Sequence, residues 1–200
     1  MRIAVVGTGP AGFYMAKNIL RNVENVRVDL FDRNPHPFGL IRTGVAPDHQ
    51  AMKNIQNDFT QVLQNDKCAF FGNVLVGRPH EAKEQGCSSI SVPKLREMYS
   101  AVVLAYGATS DRLLGLDREL ETVGVFPARR IVDWYNGSLD DILKPEEFDL
   151  EHIRSVAIVG NGNIATDIAR ILTKNPADFG DSDTPSSVLE TLRKSKLNTI

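Results

Sequence analysis

The sequence predicts an α/β protein built from two doubly wound units with parallel sheets. Three observations lead to this fold class. A short apolar strand at 3–6 runs into a glycine-rich turn and an amphipathic helix, a second strand follows at 26–31, and the strand, glycine turn and helix begin again at 156–172. A strand, helix and strand at this spacing form a βαβ unit, in which the strands pair in parallel with a right-handed crossover.

The composition is that of a folded domain of ordinary size. The chain has 200 residues, 42% hydrophobic and 24% charged, with a net charge of −2. This excludes the strong basic bias of a nucleic-acid binder and favours a small-molecule or protein partner. The cysteines Cys68 and Cys87 are too few for a disulfide framework or a four-ligand metal site, so we expect ordinary thiols and no metal.

No targeting or membrane segment is expected. Apolar runs stay far below the roughly 18 residues of a membrane span. The first strand begins almost at Met1, which leaves no room for a secretory or transit segment ahead of it.

The elements after the first βαβ unit follow in order. A Gly- and Pro-rich loop at 34–48 is too long to be a simple connector, which is typical of functional loops. The pattern then predicts a helix at 50–64, a strand at 70–76 that includes Gly72, and an exposed polar excursion at 77–91 with no assigned function. Pro93 opens a short helix to Ser100, and the apolar run 101–106 reads as a central parallel strand.

The rest of the chain is expected to form a second unit. The stretch 110–151 is mixed, and its Trp134 and Tyr135 are interpreted as core aromatics. A strand at 156–159, a helix at 164–172, a helix from Pro185 to about 196 and an extended run from Leu197 then follow. We therefore expect a first domain at 1–150 and a second, truncated one at 151–200.

The first glycine turn predicts a dinucleotide-binding (Rossmann-like) unit. Gly7 permits the tight turn off the strand, Gly9 lets the backbone approach a pyrophosphate, and Gly12 allows close packing of the helix on the sheet. The amino terminus of the helix offers free N–H groups to phosphates. Asp32 follows Gly12 at the distance of about 20 residues expected for an acid that binds a ribose diol. A purely structural βαβ turn is the alternative.

The second turn has the same form, with alanine in the third glycine position. It reads Gly160, Asn161, Gly162, Asn163, Ile164 and Ala165. Two such turns in one chain indicate two cofactors placed face to face, the arrangement needed to pass a hydride from a nicotinamide to a flavin.

Several runs of residues together resemble one family. They are VVGTGPAGFY at 5–14, PFGLIRTGVAPDH at 37–49, CAF at 68–70, GNV at 72–74, WYNG at 134–137, GNGN at 160–163 and DIARIL at 167–172. In these runs the chain resembles the amino-terminal part of the mitochondrial NADPH:adrenodoxin oxidoreductases, the adrenodoxin-type ferredoxin–NADP reductases. The 37–49 motif is the most specific of them.

The resemblance implies FAD on the first unit and NADP on the second. Asp32 stands where the family usually has Glu, Leu40 would lie along the flavin cofactor, and the backbone of Val76 would lie near the adenine. The family's arginine pair for the 2′-phosphate follows the strand that Leu197 begins, so the preference for NADP over NAD comes from resemblance alone. The implied cofactor-binding residues are Gly7, Gly9, Pro10, Ala11, Gly12, Asp32, Gly39, Leu40, Val76, Gly160, Asn161, Gly162, Asn163 and Ile164.

The implied activity is electron transfer from NADPH through FAD to an iron–sulfur ferredoxin, one electron at a time, in the mitochondrion or, as in bacterial relatives, in the cytoplasm. His49 is a candidate for proton handling, against the alternative of a solvent-facing structural histidine. No Cys-x-x-Cys pair supports a route through a redox disulfide.

Two alternative functions stay open. One is another two-dinucleotide flavoenzyme, such as a glutamate-synthase-type NADPH dehydrogenase or a flavin monooxygenase, against which the 38–49 loop argues. The other is a truncated FAD-binding product without turnover.

Overall fold

The protein forms two compact units. A computed structural model describes residues 1–84, 86–108, 111–119, 121–138, 143 and 147–200. Unit 1 comprises Met1–Arg42 and Met52–Thr109, and unit 2 comprises Thr43–Ala51 and Ser110–Ile200. The predicted α/β class with parallel strands is confirmed. The predicted boundary at residue 150 separates an FAD-binding domain from an NADP-binding domain, and this assignment stays a prediction.

The first half of the chain opens with the predicted strand, helix and strand, and further helices and strands follow. They are β1 (Arg2–Val6), α1 (Pro10–Asn22), β2 (Arg27–Phe31), α2 (Leu40–Thr43), α3 (Gln50–Lys53), α4 (Ile55–Leu63), β3 (Cys68–Phe71), β4 (Val74–Val76), α5 (Pro79–Glu84), β5 (Ser88–Ile90), α6 (Val92–Met98) and β6 (Ala101–Leu104). The predicted helix at 50–64 is interrupted at Asn54, which separates α3 from α4.

A four-stranded parallel sheet organises unit 1. The strand order is β3-β2-β1-β6, with Val5 opposite both Leu30 and Val103. Apolar side chains of α1 and α4 cover one face, and those of α6, β4 and β5 cover the other. Both faces of β1 and β2 are therefore buried, which explains the continuous apolar run 3–6 of β1. In β2 the buried residues are apolar except Asp29.

The position predicted for the 101–106 strand is wrong. Within the described chain β6 lies at the edge of this sheet, and Leu104 is 54% exposed. A continuous apolar run indicates burial of side chains, but it does not tell how many neighbouring strands pair with the backbone.

The single strand predicted at 70–76 is also wrong, because two strands occupy it. A Cβ on Gly72 would lie 2.8 Å from the carbonyl oxygen of Pro35, and Asn73 adopts a left-handed φ of 58°. The chain turns there, and β4 pairs in parallel with β5 in a separate two-stranded sheet. The predicted polar excursion at 77–91 thus contains α5 and β5, whose Ser88 and Ser89 are exposed.

Unit 2 is built around helices. They are α7 (Ala128–Asn136), α8 (Asn163–Thr173), a 3₁₀ turn (Pro176–Phe179) and α9 (Ser186–Lys194). The core aromatics are confirmed: Tyr135 is buried, and the Trp134 ring lies 5.1 Å from that of Phe148. None of the helices that the structure describes is long and apolar enough to cross a membrane.

The strand predicted at 156–159 does not form a regular strand in the described residues. Ser155 and Thr199 make one isolated parallel bridge, and the Val156 N–H donates to the Thr199 carbonyl at 3.0 Å. Strand geometry is stabilised by pairing, and here the apolar run has only this short partner.

Candidate dinucleotide site

The first glycine turn is held by close backbone contacts. Gly7 has a φ of +99°, and a Cβ there would lie 2.3 Å from the carbonyl oxygen of Ala105. A Cβ on Gly12 would lie 2.0 Å from the carbonyl oxygen of Gly7. Packing alone therefore requires glycine at both positions.

Gly9 differs from its two neighbours. A Cβ built there would meet no described atom within 4 Å, although the backbone conformation (φ −75°, ψ −175°) is one that any residue adopts. Packing does not require glycine at this position. The open space instead leaves the backbone accessible to a ligand, which is the role that the sequence pattern predicts.

The amino end of α1 lies beside that open space. Pro10 is the first helical residue, Gly9 precedes it, and no described side chain caps the helix. Ala11 is exposed at this end. Uncapped N–H groups at a helix amino terminus form an anion-binding surface, because their dipoles point toward the ligand.

Asp32 is held at the carboxyl end of β2 by the turn itself. Its Oδ2 accepts hydrogen bonds from the backbone N–H of Thr8 at 2.8 Å and from the Thr8 hydroxyl at 2.5 Å. Its Oδ1 accepts from the Asn34 N–H at 3.0 Å. A carboxylate oxygen accepts about two hydrogen bonds, so Oδ1 keeps the capacity for one hydroxyl group.

The 34–42 segment of the long loop packs on the first turn. The Phe38 N–H donates to the Thr8 carbonyl at 3.0 Å, and a Cβ on Gly39 would lie 2.9 Å from the Cα of Gly9. Phe38 has a φ of +92°, which is rare for a bulky residue and is stabilised by burial of its ring against Phe13. Leu40 follows and is 68% exposed.

Val76 reaches the same end of the sheet through β4. The Val74 N–H donates to the carbonyl of Asp32 at 2.8 Å, which places the start of β4 directly beyond β2. Val76 is half-buried at the end of this strand, opposite Ile90. Unit 1 thus brings together the predicted residues of the first turn, Asp32, Gly39, Leu40 and the strand that carries Val76.

The second glycine turn lies on the surface of unit 2. Gly160 has a φ of +129°, and a Cβ on Gly160 or Gly162 would contact no described atom within 4 Å. Asn161, Asn163 and Ile164 are also exposed there, at the amino end of α8. In the described chain that end also lacks a side-chain cap. It offers N–H groups to an anion in the same way as α1.

His49 lies in the loop segment that belongs to unit 2. Its Nδ1 is 3.8 Å from Oδ1 of Asp167 on α8, and its side chain is 38% exposed. The neighbouring Asp48 contacts Arg170 and Lys174 of the same helix.

Sequence reasoning missed Thr8 and the ion pairs of Asp48. Thr8 could have been found from its place between Gly7 and Gly9, where a hydroxyl group can reach an acid at the end of the next strand. The partners of Asp48 carry no sequence signal, because Arg170 is 122 residues away in the chain.

A cavity of about 410 Å³ lies elsewhere, along α6 and β6. Arg96, Tyr99 and Leu104 are among the residues that line it. None of the predicted cofactor residues lines this cavity. The candidate site is recognised instead by the backbone geometry of its glycine turns.

A parallel sheet, a tight glycine turn with an uncapped helix and an acid at the end of the second strand define a dinucleotide-binding α/β protein. The model of the family described as pyridine nucleotide-disulphide oxidoreductase matches residues 1–187. The chain belongs to this family.

Similar proteins agree with the resemblance seen in the motifs. The chain is 44% identical over 202 residues to the mitochondrial NADPH:adrenodoxin oxidoreductase of Mus musculus, and 42% identical over 201 residues to that of Arabidopsis thaliana. The matches cover 100% of this chain but only 37% and 39% of those relatives. The chain thus spans about two fifths of their length, and the predicted resemblance is confirmed.

Solved structures show the same fold. The structure of Mycobacterium tuberculosis FprA in complex with NADPH has a TM-score of 0.82 and 36% sequence identity to this chain. The alignment covers 98% of this chain and 41% of FprA. An atomic-resolution structure of FprA, described as an oxidoreductase with a covalent modification of NADP⁺, matches equally well.

Proposed function

We propose that the chain binds FAD at its first glycine turn and NADPH at its second, as part of an NADPH-dependent ferredoxin reductase of the adrenodoxin type. The observation that carries this proposal is the open space at the Cβ position of Gly9, the residue that precedes the uncapped end of α1. The residues fit the cofactor, since a backbone without a Cβ, free N–H groups and a carboxylate with spare acceptor capacity are what a dinucleotide needs.

The residues of unit 1 bind and orient the flavin cofactor. When bound, FAD supplies the chemistry, because it accepts a hydride from a nicotinamide and passes electrons on singly. The N–H groups of Ala11 and Gly12 hold the diphosphate, and Oδ1 of Asp32 accepts a hydrogen bond from the adenosine ribose. Leu40 offers an exposed apolar surface along the cofactor, and the backbone of Val76 lies toward the adenine.

The residues of unit 2 bind the nicotinamide dinucleotide. Gly160 and the four residues Asn161, Gly162, Asn163 and Ile164 present the amino end of α8 to its phosphates. The NADPH complex of FprA and the names of the relatives support NADP as this ligand. His49, whose Nδ1 lies 3.8 Å from Oδ1 of Asp167, is the candidate for proton handling in this proposal. A solvent-facing structural histidine is the alternative.

The electron acceptor in this proposal is an adrenodoxin-like iron–sulfur ferredoxin, and the compartment is the mitochondrion. Both rest on the relatives, which are named as mitochondrial NADPH:adrenodoxin oxidoreductases.

Two matched glycine substitutions test the assignment of the cofactors. Gly9 and Gly162 both have extended conformations that alanine adopts, and an added Cβ contacts no described atom in either place. Gly9→Ala and Gly162→Ala should therefore fold like the wild type. We expect Gly9→Ala to weaken FAD binding about tenfold or more, and Gly162→Ala to weaken NADP⁺ binding to a similar extent.

Each variant is the control for the other, measured by flavin absorbance and by calorimetric titration with NADP⁺. Unchanged flavin affinity in Gly9→Ala would contradict the proposal for the first turn. NADPH-dependent reduction of cytochrome c through added ferredoxin then tests turnover. If the chain binds flavin but shows no such turnover, the alternative of a truncated FAD-binding product is favoured over a working reductase.

A further inference from the structure

We propose that Asp48 is a positioning residue for the hydride-transfer reaction. It holds the segment 43–51 on α8, the helix that follows the second glycine turn, and so places His49 beside Asp167. The effect on the reaction rests on the proposed function, whereas the anchoring of the segment does not.

Asp48 is bound by two cations of one helix. Its Oδ2 accepts hydrogen bonds from Nη1 of Arg170 and from Nζ of Lys174, the latter at 2.7 Å, and its side chain is only 7% exposed. Arg170 lies in the last turn of α8, and Lys174 is the residue that ends the helix, four positions further on. The two contacts fix the carboxylate against one turn of α8.

The same contacts continue to His49. Nη2 of Arg170 donates to Oδ1 of Asp167 at 2.9 Å, and that oxygen lies 3.8 Å from Nδ1 of His49. Arg170 thus bridges the carboxylates of Asp48 and Asp167. Asp48 precedes His49 in the sequence, and Asp167 lies near the His49 ring. A displacement of Asp48 would change the position of His49 and the orientation of Asp167 together.

The charge state of Asp48 favours this role. Burial raises its pKa, but the hydrogen bonds from Lys174 and Arg170 outweigh burial, so the pKa lies below its ordinary value. The carboxylate is therefore ionised at neutral pH. Its Oδ1 is buried without a hydrogen-bond partner in the described chain. A protein with a buried ion cluster is often no more stable than one with apolar residues in the same place. The cluster here is therefore better explained by the fixed position that it gives Asp48 than by added stability.

Among the described residues, other contacts hold the beginning and the middle of the segment. Nδ2 of Asn136 donates to the Thr43 carbonyl at 2.9 Å, and Ala46 is fully buried in the unit 2 core. The His49 N–H donates to the Ala46 carbonyl at 3.0 Å, which is a bond within the segment. Besides the approach of His49 itself to Asp167, the contacts of Asp48 hold the part that carries His49.

The test uses Asp48→Asn in the full-length protein with its flavin bound. We expect amide hydrogen exchange at residues 45, 46 and 48–50 to become at least about tenfold faster, because the asparagine does not hold both cations. The rate of flavin reduction at saturating NADPH should fall about tenfold, with the NADPH dissociation constant changed less than about twofold. Asp181→Asn, the same change at an exposed carboxylate of unit 2, should alter neither quantity.

A second variant guards against loss of folding. Lys174→Met removes one of the two contacts while Arg170 stays bound, so its effects should have the same direction and be smaller. The effects of the double variant should be less than the sum of the single ones, because the two residues share one contact.

Unchanged exchange in Asp48→Asn overturns the proposal. Faster exchange with an unchanged rate of flavin reduction overturns the positioning role and leaves only an anchor. If the wild type itself does not reduce its flavin with NADPH, the proposed function fails, and the exchange experiment still decides whether Asp48 anchors the segment.

Discussion

At the scale of single residues, the first turn is organised by its own side chains. Thr8 is fully buried, and both its backbone N–H and its hydroxyl donate to the same oxygen of Asp32. An aspartate is shorter than the glutamate that the family resemblance suggests at this position. The two bonds from Thr8 fix this shorter carboxylate at the turn and leave Oδ1 directed to other partners.

Thr8→Val tests this organisation. Valine has nearly the same shape but no hydroxyl, so Oδ2 of Asp32 loses a charge-assisted bond in a partly buried place. We expect the free energy of unfolding to fall by about 1–3 kcal/mol, measured by denaturant titration without ligand.

The matched control is Thr60→Val on α4, where the exposed hydroxyl donates to the Gln56 carbonyl. This change should stay within about 0.5 kcal/mol of the wild type. Equal effects of the two substitutions would show that the Thr8 hydroxyl does not stabilise the turn.

The glycines of the first turn could be predicted from the sequence, but side-chain contacts between distant parts of the chain could not. The spacing of Gly7, Gly9 and Gly12 after a strand indicates close approach of backbone, and the structure shows such approach at Gly7 and Gly12. The bonds of Asp48 to α8 join residues more than 120 positions apart, and such pairs follow from the tertiary fold alone.

At the scale of helices and strands, the polarity of the sequence predicted which side chains are buried better than it predicted which strands pair. The polar stretch 88–90 forms β5 because parallel pairing with β4 uses backbone groups and tolerates exposed serines. The apolar run that begins at Ala101 forms an edge strand in the described chain. Both errors arise because hydrophobic periodicity reports on side chains and not on strand order.

Three elements of unit 1 are joined by one buried carboxylate. Asp29 of β2 accepts hydrogen bonds from Nη2 of Arg2 on β1 at 2.6 Å and from the Tyr99 hydroxyl, next to α6, at 2.7 Å. Burial, followed by the bond to Asp29 and its negative charge, raises the pKa of Tyr99 to about 12, and the charge of Arg2 opposes this shift.

The raised pKa predicts how stability depends on alkaline pH. The folded state favours the neutral phenol, so this contribution is fully present below the unfolded pKa of about 10 and is lost as the pH rises through about 12. We expect the free energy of unfolding to fall more steeply between these pH values in the wild type than in Tyr99→Phe. Urea titrations at several pH values measure both slopes.

Tyr106→Phe is the control for this experiment, because Tyr106 is 65% exposed and should not change the slope. Identical slopes in the wild type and Tyr99→Phe would contradict the coupling of Tyr99 to Asp29.

At the scale of the whole molecule, each of the two units carries one glycine turn. Unit 1 holds the sheet and the first turn, and unit 2 holds α8 and the second turn. The sequence predicts both turns from local patterns. It does not predict that the segment 43–51 belongs to unit 2, because that depends on where Ala46 is buried and which helix Asp48 contacts.

The only tryptophan of the chain allows the two units to be followed separately. Trp134 packs on Phe148 in the core of unit 2, so its fluorescence reports the unfolding of that unit. A ligand stabilises the unit that binds it, by about 2.7 kcal/mol at 100 times its dissociation constant. We expect NADP⁺ to raise the denaturant midpoint seen by Trp134, and FAD to raise the midpoint for loss of protected amides in β1 and β2.

Gly162→Ala should abolish the effect of NADP⁺ on the Trp134 transition, and Gly9→Ala should leave that effect intact. A single transition that responds equally to both ligands would contradict this assignment of one cofactor to each unit. The experiment needs no catalysis, since each ligand acts only through its affinity for the folded state. It therefore separates the binding roles of the two turns from the question of electron transfer.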